Sequence, residues 1–423
     1  MASTAKPMQV FHSGNCLNTV VTVLLLVSFG FVLGTIYSAN FPESYLPPFL
    51  QPLPSLALSS SPLPMNSPTP PAPAPLPETP CILPPLPSTT LPPAPSSPSP
   101  PPEKPLMGFT DFLAPSGSVM HNMTDEELLW RASMAPKVAG MPRRIVPKVA
   151  FLFLTKGELP LRPLWEKFFA GHEGLYSIYI HTSPDYAGSP PADSVFYGRM
   201  IPSQKTSWGN INLVEAERRL MANALLDLAN TRFALVSESC IPLLNFEAIY
   251  SYLITNSSSH VESYDRGDGR GRHGPFFTAH NITLSQWRKG AQWFEMDRAL
   301  AVEVVAEARY ITVFRGDHGA SNMEEYYLAT LVNLIRWGNR NTNRTLTYMD
   351  WRGGGSHPKD HGEKDVTVEL VEGMRRGDGK CGYKVDVGNG VGEVEFCYLF
   401  ARKFSRDAVG KLLELAPKVM GFG

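Results

Sequence analysis

The sequence predicts an α/β domain, built on a mainly parallel sheet with flanking helices and held away from a membrane anchor by an unfolded spacer. Three observations carry this: residues 148–239 alternate strand-like apolar runs with amphipathic helical ones, residues 17–37 carry no charge, and 25 of the 40 prolines lie between Pro42 and Pro105. Strand–helix alternation implies parallel pairing, because each return to the same edge of a sheet takes a helix's length of chain. Lys plus Arg number 38 and Asp plus Glu 39, and this balance excludes a general nucleic-acid binder, which needs a basic excess to meet phosphates. Five cysteines among 423 residues are too few for a disulfide-framework domain or a zinc cluster.

Residues 1–16 read as a short cytoplasmic tail. The following span, 17–37, is long enough as a helix to cross a hydrocarbon core of roughly 30 Å. Its apolar stretch exceeds that of a cleaved signal peptide, and Tyr37, Ser38, Ala39 and Asn40 make a poor cleavage site, so a retained signal anchor is expected. Lys6 precedes the span and Glu43 follows it, which puts everything after residue 40 on the far side. Four Asn-x-Ser/Thr acceptors, Asn122, Asn256, Asn281 and Asn343, fall there. Residues 38–105 have only Glu43, Glu78, Glu103 and Lys104 as charges. Their prolines remove backbone donors and favour polyproline II, giving a spacer of at most about 200 Å at roughly 3.1 Å per residue. Cys81 within it is free to pair between chains, so a homodimer stays open.

An extension, residues 106–147, holds a short surface helix signalled by Thr124 and Glu127 as a capping box. The main domain spans 148–423. Residues 148–155, KVAFLFLT, form a continuous apolar run typical of a strand buried on both faces. A helix over 164–170 and a second strand over 175–182 complete a βαβ unit. Residues 210–230 follow as a helix, with Ile211, Val214, Met221, Ala224, Leu225 and Leu228 on its apolar face, Glu217, Arg218 and Asp227 on the other, and Asn212 and Glu215 as a capping pair. The third strand is 231–239. Ligands of such sheets bind beyond the strands' carboxyl ends, which here carry Lys156-Gly157, His181-Thr182-Ser183 and Glu238-Ser239-Cys240.

No GxGxxG follows a strand, no GxxxxGK[ST] occurs, and Gly353-Gly354-Gly355 lacks the following helix that a phosphate cradle needs. No two aspartates are separated by one residue, the pair with which many sugar-nucleotide enzymes hold a divalent ion against a diphosphate. Pro358 interrupts any helix that would aim His357 and His361 together, which leaves them on a surface loop. No metal or other cofactor is therefore expected, and the cations must come from Arg375, Arg376, Lys380, Arg402 and Lys403. Trp208 is assigned to the core. Trp293 suits the core or a site wall equally, and Cys240 reads as an isolated buried thiol.

Several segments occur in the order of a known family: SWGNINLVEAERRLMANAL (207–225), SESCIPL (237–243), WRKGAQWFEMDRALA (287–301), EEYYLATL (324–331), WRGGGSHP (351–358) and FCYLFARKF (396–404). They resemble the plant branch of the core-2/I-branching β-1,6-N-acetylglucosaminyltransferase-like proteins, glycosyltransferase family 14, over roughly residues 148–404. The resemblance implies a single-pass type II Golgi membrane protein with a luminal GT-A-like, Rossmann-type domain. Its implied activity is that of a hexosyl- or acetylglucosaminyltransferase moving a sugar from a UDP-sugar to a hydroxyl of a glycan or glycoprotein, with inversion and without metal.

Inversion in one displacement needs a carboxylate beside the attacking hydroxyl. The family's base is the Glu of an Asp-Glu-His-like motif, which falls on Glu325, although Glu324 and Tyr326 depart from that motif and both glutamates also suit a charged helix start. For the leaving diphosphate the resemblance implies Lys403, partnered by Arg375, Arg376 or Lys380, with His181 near the uridine. On the acceptor side it implies Glu262, Arg270, Arg272 and Trp351. Cys381 and Cys397 flank a hairpin-like segment and would pair in an oxidising lumen. The alternative is a non-catalytic, Golgi membrane-anchored carbohydrate-binding or scaffolding protein of the same fold.

Overall fold

The computed structural model describes residues 118–136, 145–387 and 392–423. The expected tail, anchor and stem lie outside the described residues, as do parts of the 106–147 extension. Among the described residues no helix is long and apolar enough to cross a membrane.

Helix α1 (Asp125–Ala132) opens on a closed capping box, in which Thr124 Oγ1 accepts the Glu127 N–H and the Glu127 carboxylate accepts the Thr124 N–H. Then come β1 (Lys148–Leu154), α2 (Arg162–Phe169), β2 (Tyr176–His181), α3 (Asn212–Leu225) and β3 (Asn230–Ser237). Strand β1 pairs in parallel with both β2 and β3, and every residue from Val149 to Leu154 is buried, which is why the run carries no polar alternation. The chain continues through β4 (Ile241–Pro242), α4 (Phe246–Thr255), β5 (Glu295–Asp297) and α5 (Arg298–Ala306). Strand β5 runs antiparallel to β3 and completes a sheet of order β2-β1-β3-β5.

Residues Tyr327–Leu334 form α6, followed by β6 (Thr347–Met349), α7 (Val368–Arg376), β7 (Tyr383–Asp386), β8 (Glu393–Phe396), β9 (Phe400–Arg402) and α8 (Val409–Leu415). A second sheet has the order β4-β9-β6. Because β4 follows β3 almost at once, pairing with β4 draws the chain after β9 to the carboxyl end of β3, where the Phe404 N–H donates to Ser239 O at 3.0 Å. An aromatic core underlies both sheets: the Phe151 ring meets those of Trp165, Phe168, Phe169 and Phe400 edge-on. Trp165 satisfies its indole N–H on the Cys240 carbonyl, and Cys240 itself is a buried free thiol.

Helix α3 differs from its expected form. It ends at Leu225, where Asp227 Oδ1 accepts the Ala229 N–H and turns the chain into β3. Asn212 does not cap it but accepts the Ser207 N–H at 2.9 Å. Glu217, Arg218 and Asp227, expected in solvent, are buried. The reason is that α3 is covered on both sides, by the sheet and by α1 with α5. Each buried polar group is consequently matched: Arg218 donates to the Val304 and Val305 carbonyls at the end of α5, Asp227 meets Lys148 at 3.1 Å, and Glu217 accepts from Gln292.

Candidate active site

Helix α6 starts at Tyr327, so Glu324 and Glu325 are not its first turn; they occupy a separate 3-10 turn, Met323–Glu325, entered through Asn322 at φ +63°. Glu325 is partly exposed, and its Oε2 lies 3.4 Å from Lys289 Nζ. Lys289 also meets Asp268 at 3.3 Å. Burial works against the Lys289 charge, but Glu325, Tyr326 and Asp268 together hold its pKa above the usual lysine value. Beneath this group Tyr326 stacks on Trp287, with centroids 5.1 Å apart, and Trp287 donates to Gly269 O.

Backbone contacts connect the turn to the expected acceptor segment. The Gly290 N–H donates to Glu325 O at 2.9 Å, and the next residue, Ala291, donates to Glu262 Oε2 at 2.9 Å. A Cβ on Gly290 would fall 2.1 Å from the Glu262 carbonyl, so only glycine permits this approach. Arg272 donates to Ser321 O and Oγ, just before the turn. Glu262, Arg272 and Glu325 are thus linked. Arg270 instead pairs at the surface with Asp265, and Trp351 is exposed on its loop.

Glu324 contradicts its expected place as a helix-start charge. It is 5% exposed, with one carboxylate oxygen lacking a partner among the described residues. Burial pushes its pKa up, the adjacent Glu325 adds to the rise, and the Gly209 N–H and Arg272 oppose it. Nearby Glu217 is pushed up to about 8, first by burial and further by Glu324, against its Gln292 donor. Burial therefore favours the neutral acid form of Glu217.

Lys403 follows β9 directly and is half-buried at the carboxyl end of β3. Its carbonyl accepts the His361 N–H at 2.7 Å. That contact explains why His361 is 1% exposed, not on a surface loop as expected, with its Nε2 3.6 Å from Asp350 Oδ2. Arg402 is turned inward, its guanidinium 4.2 Å above the Trp293 ring, which places Trp293 in the core. Trp208, by contrast, is 62% exposed and not a core residue.

The other cations expected at the donor site are spread apart. Arg375 is buried and committed to Val419 O at 2.6 Å. Arg376 and Lys380 are exposed, and Lys380 meets Asp378 at 3.3 Å. His181 has no exposed surface; burial, then Arg219, lowers its pKa to about 4, and Nε2 accepts the Gln204 N–H. Cys381 and Cys397 are joined as a disulfide, so although Asp378 lies beside them, neither sulfur offers a thiolate to a metal. Asn122, Asn281 and Asn343 are exposed, whereas the Asn256 side chain is half-buried and engaged with Ser258 and His260. Lys289, Asp268 and Asp350 were not among the expected functional residues. The one sequence signal for Lys289 is its place before a glycine in WRKGAQWF.

A carboxylate faced by a lysine on a turn between sheet and loops, with a second lysine beyond a parallel strand end, suits transfer chemistry on a polar substrate. The Core-2/I-Branching enzyme family pattern matches residues 149–375, and the chain belongs to that family, which is one of glycosyltransferases acting on a sugar donor and an acceptor. Among its relatives is Glycosyltransferase BC10 of Oryza sativa subsp. japonica, 31% identical over 307 residues, which span 64% of this chain and 76% of the relative.

Proposed function

We propose that the protein is an inverting, metal-independent glycosyltransferase with a GT-A-like domain that moves a sugar, N-acetylglucosamine or another UDP-linked hexosyl unit, onto a glycan or glycoprotein hydroxyl. Residues 1–16, 17–37, 38–105, 106–147 and 148–423 serve as cytoplasmic tail, signal anchor, luminal stem, extension and luminal catalytic domain of a type II Golgi membrane protein. The single observation that supports the chemistry best is the partly exposed Glu325 carboxylate, faced by Lys289 and joined through Gly290 and Ala291 to Glu262. As the acceptor oxygen bonds to the anomeric carbon, the sugar–phosphate bond breaks, its electron pair leaves on the UDP oxygen, and the acceptor proton passes to Glu325. Lys403 meets the charge that develops on the diphosphate, a role for a cation already in place before reaction.

The test uses the full chain in detergent. Glu325→Gln keeps shape but removes the basic oxygen, so transfer should fall by about 10² to 10⁴-fold while UDP affinity stays level. Exposed Glu303→Gln, away from the turn, is the control, because buried Glu324 cannot serve as one. UDP binding should be unaffected by a chelator and weakened by Lys403→Ala by about 1.5–3 kcal/mol. Unchanged transfer in Glu325→Gln would remove the assignment of the base and favour a binding protein of the same fold.

A further inference from the structure

Trp208 is held at the surface by its neighbours. Ser207 donates its N–H to Asn212 Oδ1, the Asn210 N–H donates to Ser207 O at 3.1 Å, and Gly209 lies at φ +75°. Gly209 then binds the turn that carries Glu325, its carbonyl accepting the Asn322 N–H at 2.8 Å, and its amide lies close enough to the Glu324 carboxylate to oppose the rise in that group's pKa. On its other side the Trp208 ring meets that of His357 at 5.2 Å. Four residues further on, the His361 N–H is bonded to Lys403 O. An exposed indole is therefore fixed between the segment that carries the carboxylate and the segment that carries the lysine. Trp130 is exposed to a similar degree, 68%, but sits on α1 with neither connection.

In a displacement that inverts, the anomeric carbon lies between the leaving diphosphate and the attacking hydroxyl. The ring attached to that carbon must occupy the same interval, and the apolar C–H face of a pyranose suits an aromatic surface. We propose that Trp208, edged by His357, is the platform on which the transferred sugar of the donor stacks. This rests on the functional reading above and adds to it the subsite for the moving ring.

Binding of UDP alone is compared with binding of UDP-N-acetylglucosamine, UDP-xylose, UDP-glucuronic acid and UDP-galactose to the full chain by calorimetry. In Trp208→Ala, UDP affinity should hold within about twofold, while the nucleotide sugar that wild type binds best should lose about tenfold, and Trp208→Phe should recover most of it. Because Trp208 is exposed, its removal should leave the melting temperature in place. Equal losses for UDP and UDP-sugar, no loss in either, or an effect confined to the acceptor KM would each overturn the platform. If Glu325→Gln abolishes transfer while Trp208→Ala leaves donor affinity intact, the platform fails and the functional reading stands. If wild type binds neither UDP nor any of the four UDP-sugars, both fall.

Discussion

From Lys148 to Pro242 side chains take their places from strand and helix periodicity, whereas from His260 to Phe404 the groups around Glu325 and Lys403 are set by single hydrogen bonds between distant residues. In the first region Phe151 or Leu235 could be assigned an interior position from its neighbours alone. In the second, Glu325 is held by Gly290, Glu262 by Ala291, Asn322 by Gly209 and Lys403 by His361. The first region spreads its stabilisation over many packed side chains. The second concentrates the placement of each functional group in one or two contacts, so small changes there should alter chemistry more than stability.

The strongest way to break this contrast is in the aromatic core. Trp165→Ala should cost about 3–5 kcal/mol, read by chemical denaturation, through the cavity left among Phe151, Phe153 and Phe168 and the lost bond to Cys240. A cost below about 1 kcal/mol would mean that the core can collapse around the gap. In the second region Gly290→Ala forces a methyl against the Glu262 carbonyl. Stability should fall by roughly 1–3 kcal/mol, but transfer should fall by roughly 10²-fold through misplacement of Glu325. Equal proportional losses in both measurements would erase the distinction between the regions.

The smallest effect concerns Glu217, which lies in the first region and accepts a hydrogen bond from Gln292 of the second. Its carboxyl moves from an ordinary 4.5 to about 8 on folding. The raised folded value means that its contribution to stability is complete below about pH 4.5 and is lost progressively as pH rises through 8. Glu217→Gln imitates the neutral acid, so melting temperatures should match wild type near pH 5 and exceed it above pH 8. Parallel curves across that window would show that Glu217 folds as the anion.

Strands β1, β2 and β3 and the βαβ order were legible in the sequence because apolar runs of that length have few alternatives. The far side of α3 was not, since helical periodicity marks polar positions but not whether α1 and α5 will cover them. Glu324 and Glu325 look alike in sequence. What separates them is the left-handed Asn322, which starts a 3-10 turn and directs one carboxyl inward toward Gly209 and the other toward Lys289. Trp208 was hidden for a related reason: an apolar residue before a helix is assigned to the interior unless the binding of Gly209 to the distant Asn322 is known. The ion pair of Lys289 with Glu325 joins positions 36 apart in the chain, beyond the reach of local pattern.

The bond between Cys381 and Cys397 joins positions separated by 16 residues and encloses strands β7 and β8, where Tyr383 and Phe396 pack against Tyr252. Closing a loop of that length removes unfolded-chain freedom equivalent to about 3 kcal/mol. The Cys397 N–H is also bonded to Arg375 O, so the link reaches the end of α7. A host cell that keeps thiols reduced would withhold this contribution while leaving the parallel sheet free to assemble. Recombinant protein from such a host would therefore be a mixed product, sound in its sheet and loose at its C-terminal edge, and the choice of an oxidising secretory route becomes a requirement for preparing material whose measured activity represents the native chain.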